Sequence, residues 1–165
     1  LALGLVIGSA WRGGVRAATD KSEIATLREE VANTREMVAL SLLRQPSASE
    51  RLRGVAYSVR MPTMEPEVLS ALIQAVSHDP NVNVRLAALD ALSRASGNAQ
   101  VRQSMTQALG QQDSPMVQAA LIDYLVDARD RGAMGTLRQL ASRPDLNPSV
   151  RQRTDRAMQQ LTEYK

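Results

Sequence analysis

Beyond residue 46, apolar positions recur at intervals of three and four in short blocks, and turns carrying Asp, Pro or Asn separate the blocks. That spacing lays apolar side chains along one side of a helix. Two blocks superimpose at an offset of 33: Val84-Arg85-Leu86-Ala87-Ala88-Leu89-Asp90-Ala91-Leu92 and Val117-Gln118-Ala119-Ala120-Leu121-Ile122-Asp123-Tyr124-Leu125. A third begins a further 33 on, at Val150-Arg151. The segments between them keep the same step, with Val68, Val101 and Met134 in one series and Ala75, Ala108 and Ala141 in another. A fixed period of this length is the mark of a repeat architecture, in which each unit buries its apolar face only by stacking on its neighbours.

Each unit reads as two helices. The first opens after Asp79-Pro80-Asn81, Asp113-Ser114-Pro115 or Asn147-Pro148-Ser149, where proline suits a first helical position. The second helices cover about 65–77, 99–109 and 133–142, and an earlier first helix covers 49–60. Ala87, Ala88, Ala119 and Ala120 let helices approach closely, and Leu89, Leu92, Ile122 and Leu125 fill the layer between them. The expected fold is all-α: an α-solenoid over residues 47–165, of about three helix pairs closed by a polar capping helix at 148–164.

Upstream, residues 19–45 read as a long amphipathic helix. Gly13-Gly14 is expected to break the chain, Thr19 or Asp20 to cap the helix with Glu23 following, and Pro46 to end it. Ile24, Leu27, Val31, Thr34, Val38 and Ser41 alternate by three and four, which forms a stripe. Two readings stand: a stalk that forms a homodimer through Ile24, Leu27, Val31 and Val38, or a helix leaning on the array with help from Met37, Leu40, Leu42 and Leu43. Residues 1–12, beginning LALGLVIGSAW, are almost wholly apolar up to Arg12. They read either as the end of a transmembrane helix, with Trp11 at the interface, or as the late part of a signal peptide with Gly8-Ser9-Ala10 as its cleavage site. The favoured expectation is membrane attachment through this segment. Arg12 and Arg16 then pull the C-terminal side toward the cytoplasm.

Composition sharpens the class. Hydrophobic residues make up 44% but aromatics only 2%, so the core is built from Leu, Val, Ala and Met, as in packed helices rather than a β-sandwich. There are no cysteines, which removes disulfides, thiolate metal sites and cysteine nucleophiles, and His78 is the lone histidine. At the end of a helix, His78 is expected to interact with the helix C-terminus. Gly132-Ala-Met-Gly135 lacks the spacing and the lysine of a phosphate loop. No catalytic, cofactor or metal site is expected. The net charge of +3 comes from interspersed charges, and 18 of the 20 basic residues are Arg. Without a basic block or aromatics to stack on bases, nucleic acid is not an expected partner.

The run Asp79-Pro-Asn-Val-Asn-Val-Arg-Leu-Ala-Ala-Leu-Asp-Ala-Leu resembles the HEAT-repeat signature, an Asp and a Val-Arg pair followed by small and apolar residues. That resemblance covers residues 47–165 and implies a ladder of Asp–Arg hydrogen bonds between consecutive repeats. Asp79/Arg85 and Asp145/Arg151 have its spacing of six. The unit between departs, with Gln118 for the Arg and Asp113 one position late, so the ladder and the regular curvature are expected to break there. The layout, including Ser47-Ala-Ser-Glu-Arg-Leu-Arg-Gly-Val55 and Gln112-Asp-Ser-Pro-Met-Val-Gln118, is also similar to a narrower group. These are bacterial membrane-anchored proteins with a zinc-finger, anti-sigma-type domain, one transmembrane helix and a C-terminal HEAT array. This likeness implies an array outside the cytoplasmic membrane, against the hint from Arg12 and Arg16.

In such a solenoid the second helices are expected to line the concave side. With Val68, Leu72, Val76, Val101, Met105 and Ala108 directed inward, the opposite face presents Ser70, Gln74, Gln103, Thr106 and Gln107, continued by Arg138 and Gln139. A polar, nearly uncharged surface of this kind suits a protein or peptide partner.

Overall fold

Asparagine and proline set where the helices begin. The computed structural model describes residues 8–61 and 63–163. Its helices are α1 (Gly8–Leu43), α2 (Ala48–Val59), α3 (Pro66–His78), α4 (Val82–Ser93), α5 (Ala99–Gln111), α6 (Pro115–Asp127), α7 (Met134–Ala141) and α8 (Pro148–Glu163), with a 3₁₀ turn at Arg131–Ala133 before α7. Asn81 Oδ1 accepts from the N–H groups of Asn83 (2.9 Å) and Val84 (3.3 Å), and Asn98 does the same for Gln100 and Val101. Asn147 repeats the arrangement before α8. Each satisfies backbone donors that a helix start leaves without an internal partner.

The helices form two rows. One contains α1, α3, α5 and α7, the other α2, α4, α6 and α8, and each helix packs on its row neighbours and on one helix across. Leu72, Met105, Leu109, Leu121, Ile122, Leu125, Leu137 and Leu161 are fully buried between the rows. Leu89 and Leu92 fill the same layer, and Val68, Val76, Val101 and Ala108 face inward as the pattern predicts. This is an α-solenoid.

Three features differ from the expectation. The close pairs are α1 with α2, α3 with α4, α5 with α6 and α7 with α8. The Asp-, Pro- and Asn-bearing turns therefore join the two helices of a pair, not one pair to the next, because a tight reversal forces the helices on either side of it together. The C-terminal part of α1 completes the first pair: Ala39 is buried, and Leu40 and Leu43 pack on the core. Second, Gly13-Gly14 does not break the chain, and Thr19 and Asp20 lie inside α1 rather than capping it. A helical glycine costs only about 1 kcal/mol relative to alanine, which helix-forming neighbours offset. Third, the step of 33 is not kept throughout: Arg51 and Arg85, which make equivalent contacts, are 34 apart. Ala133, Leu137 and Leu140 are buried where Met134 and Ala141 are not, so α7 follows α5 at a step of 32. The 3₁₀ turn, tighter per residue than an α-turn, leads into that shift.

Among the described residues, the stripe before Ala39 is left open. Ile24, Leu27, Val31 and Val38 are exposed, as is Met37, so only the last turns of α1 lean on the array. The apolar run 1–12 lies outside the described residues up to residue 7. Among the described residues, no helix is long and apolar enough to cross a membrane.

Candidate protein-binding surface

The stack is braced by polar rungs, and these decide which surface is left for a partner. Arg51 on α2 makes a two-pronged contact with Asp79, Nε to Oδ2 at 2.6 Å and Nη2 to Oδ1 at 2.9 Å, and its Nη1 donates to the carbonyls of Gln45 and Pro46. Both side chains are largely buried, at 12% and 5% exposure. The hydrogen bond with Asp79 raises the Arg51 pKa, burial opposes the rise, and the Asp79 charge adds to it. One repeat on, Arg85 Nη1 donates to Gln112 Oε1 at 2.6 Å and to Asp113 Oδ1 at 2.9 Å. The Arg85 hydrogen bond is the main cause that lowers the Asp113 pKa below the ordinary carboxylate range.

The rungs thus run from an Arg on α2 or α4 to the turn of the next repeat. They do not join Asp79 to Arg85 or Asp145 to Arg151 at a spacing of six. Asp145 pairs with Arg143 instead, at 3.1 Å, and Arg151 donates to the carbonyls of Ala141 and Arg143. Nor does the ladder fail where Asp113 is displaced. Gln112 is buried, accepts from Arg85 and donates to the Val76 carbonyl at 3.2 Å, while Gln118 Nε2 donates to the Gln112 carbonyl at 2.8 Å. The Arg85–Asp113 pair is kept and Gln112 adds to it, while Gln118, in the position of the next Arg, bonds back to the Gln112 carbonyl. Beyond Gln118 the tie is different in kind: Arg153 on α8 bonds Asp123 on α6.

These rungs consume the charges at the turns. Of the side chains predicted for recognition, Ser70, Gln74, Gln103, Gln107, Arg138 and Gln139 are exposed. Thr106 is half-buried, and its hydroxyl lies 3.2 Å from Asp130 Oδ2, so it ties α5 to the turn after α6. With the step of 32 into α7, Gln139 follows Gln74 and Gln107, and Arg138 follows Thr106. Ser70 and Gln74 also line a groove of about 770 Å³ between the end of α1 and α3. Leu43, Pro66 and Ala71 line it with apolar surface, and Arg44, Glu67 and His78 add polar side chains. His78 is the last residue of α3 and is exposed, as a residue at a helix C-terminus should be.

The row holding this face is not the tighter one. α2 packs on α4, and α6 on α8, more extensively than α1 on α3 and α5 on α7. α3 on α5 and α4 on α6 pack alike, so the difference between the rows is confined to the ends of the stack. On the α4–α6 side, sequence reasoning missed a smaller groove of about 290 Å³ lined by Asp90, Asp123, Tyr124 and Asp127. Asp90 and Asp123 are one period apart, a signal the repeat alignment already contained. The Tyr124 hydroxyl is buried without a hydrogen-bond partner, and burial raises its pKa. Among the described residues no group of acidic or histidine side chains could hold a metal.

Paired helices stacked at a near-constant step, with Arg rungs between layers, define a HEAT-like solenoid. A family model described as HEAT repeats matches residues 37–126, more than half of the chain, and the chain belongs to that family. The match starts within α1, close to where Ala39 enters the core, and runs through most of α6. HEAT repeats generally serve as protein-interaction scaffolds, and the family is typically non-enzymatic. No curated protein and no solved structure matches the chain.

Proposed function

We propose that this protein is a non-catalytic scaffold that takes a protein or peptide partner along α3, α5 and α7, and that it works at a membrane as part of a regulator. The observation that carries the binding face is the row Gln74, Gln107 and Gln139, exposed at one position in three successive layers and continuous with the groove at Ser70. Amides donate and accept, so such a row can pair with an extended backbone without the desolvation cost of a charge. Ser70, Gln103 and Arg138 flank it. The apolar run 1–11 supports attachment to a membrane through an N-terminal segment. The likeness of layout to anti-sigma-type proteins supports a regulatory role with the array outside the cytoplasmic membrane.

A photo-reactive residue in place of Gln107 in the full chain, expressed in its own cells, tests the face. The reading requires adducts from that position, adducts from a probe at Gln74 that are lost on Gln107→Arg, and none from a probe at Asn83 on α4. Adducts confined to the α4–α6 side, or none, would overturn it. For the attachment, the protein should sediment with membranes, and free solubility contradicts that part alone. A second reading, a homodimeric scaffold joined through α1, is favoured by the exposure of Ile24, Leu27, Val31 and Val38.

A further inference from the structure

Resting on that second reading, we infer that α1 associates with a second copy of this chain as a parallel, in-register two-stranded coiled coil over residues 23–41. Seam positions a and d are set by the stripe itself: Ile24, Val31 and Val38 at a, Leu27, Thr34 and Ser41 at d. Ile24, Leu27 and Val31 are 47%, 54% and 48% exposed, a large unpartnered area for three successive seam positions. β-Branched residues at a with leucine at d favour two parallel strands. Thr34 is a tolerable seam residue because its hydroxyl already donates to the Glu30 carbonyl at 2.8 Å.

The charges select the partner and its direction. Glu23 and Glu30 fall at g, and Arg28 and Arg35 at e. In a parallel pair each g residue faces the e residue five positions on in the other strand. That sets Glu23 against Arg28 and Glu30 against Arg35, twice each by symmetry. An antiparallel pair instead sets g against g and e against e, Glu against Glu and Arg against Arg. None of the four has an opposite charge three or four residues away on its own helix, where a partner within the helix would lie. None makes an ion pair among the described residues. These charges are complementary only across two copies of the chain. Arg28 and Arg35 border the same shallow groove as Ile24, Leu27 and Val31, so their stems can cover the seam while their guanidinium groups reach across. Toward the array the seam ends where Ala39, Leu40 and Leu43 turn to the core. The coiled coil is fewer than three heptads, so the dimer is a weak one that responds to concentration.

The chain has no cysteine, so one introduced thiol reports the geometry cleanly. In a parallel pair, Leu27→Cys faces its own copy at the seam and closes a disulfide under mild oxidation. In an antiparallel pair the same position faces Val38 and cannot reach its copy. The full chain should show a monomer–dimer equilibrium in sedimentation, and Glu23→Arg/Glu30→Arg should raise its dissociation constant at least about tenfold. Swapping all four charges (Glu23→Arg, Arg28→Glu, Glu30→Arg, Arg35→Glu) should restore dimers that do not mix with the wild type. Dimers that fail to cross-link at Leu27→Cys, or that mix freely with the swapped chain, would overturn the parallel register while leaving association through α1 standing. A chain that stays monomeric up to about 0.5 mM would overturn both.

Discussion

Arg51 and Arg85 do the same job in successive repeats with different partners, and the difference in burial sets what each is worth. Arg51 and Asp79 are both largely shielded, so removing one leaves the other without a partner in a poorly solvated place. Arg51→Ala is expected to cost about 3 kcal/mol in denaturant unfolding. Asp113 is 86% exposed, and Asp113→Asn should move the same midpoint little. The carboxyls of Asp113 and Asp145 are both held below their ordinary range, first by the hydrogen bonds from Arg85 and Arg143. A folded-state pKa that is lowered stabilises the fold above the ordinary carboxylate pKa, about 3.9, and this is lost as pH falls through the lowered value. A carboxyl-carbon NMR titration should therefore find both groups ionised below that range, with Asp113 returning toward it in Arg85→Ala and Asp145 unmoved. The motif residues were legible at this scale. The family likeness implied rungs between consecutive repeats, but which Arg meets which Asp was not legible, because a rung joins residues 28 apart.

Among the elements, α1 and α2 meet most closely, and a glycine permits it. A Cβ on Gly54 would lie 2.8 Å from the Leu43 backbone nitrogen and 3.0 Å from Leu42 Cβ, so the two helices would have to part. Gly54→Ala should cost about 2 kcal/mol. Gly135, in α7 with open space around its Cα, provides the contrast: Gly135→Ala should stabilise by about 0.5–1 kcal/mol. Calorimetric melting of the two variants gives opposite signs if α1 is docked as described. The positions of the helices were legible because Pro66, Pro115 and Pro148 and the capping Asn81, Asn98 and Asn147 act locally. The pairing was not, since periodicity orients a face without saying which neighbour it meets. The unbroken course of α1 through Gly13-Gly14 was missed for a related reason, as a glycine penalty is small against the whole helix.

In the molecule as a whole, stability is shared between neighbouring layers, so an end layer protects everything behind it. The period showed that a stack exists. It did not show that the stack begins inside α1, because the α1 stripe looks continuous in sequence although its exposed and buried parts divide near Ala39. The candidate face was legible in part: Gln74 and Gln107 stand one period apart, and Gln139 joins them only once the step of 32 into α7 is known. How the faces of successive layers line up depends on packing between rows, which no single repeat encodes. The central structural claim is that the last turns of α1 are the first helix of the HEAT array. Denaturant unfolding of a chain starting at residue 36, compared with one starting at residue 47, tests it directly. Loss of Ala39, Leu40 and Leu43 uncovers Val55 and the groove beside Ser70 and Gln74, and should lower stability by about 3 kcal/mol or more with a smaller dependence on denaturant. Equal stability of the two chains would contradict the account and return the start of the array to residue 47.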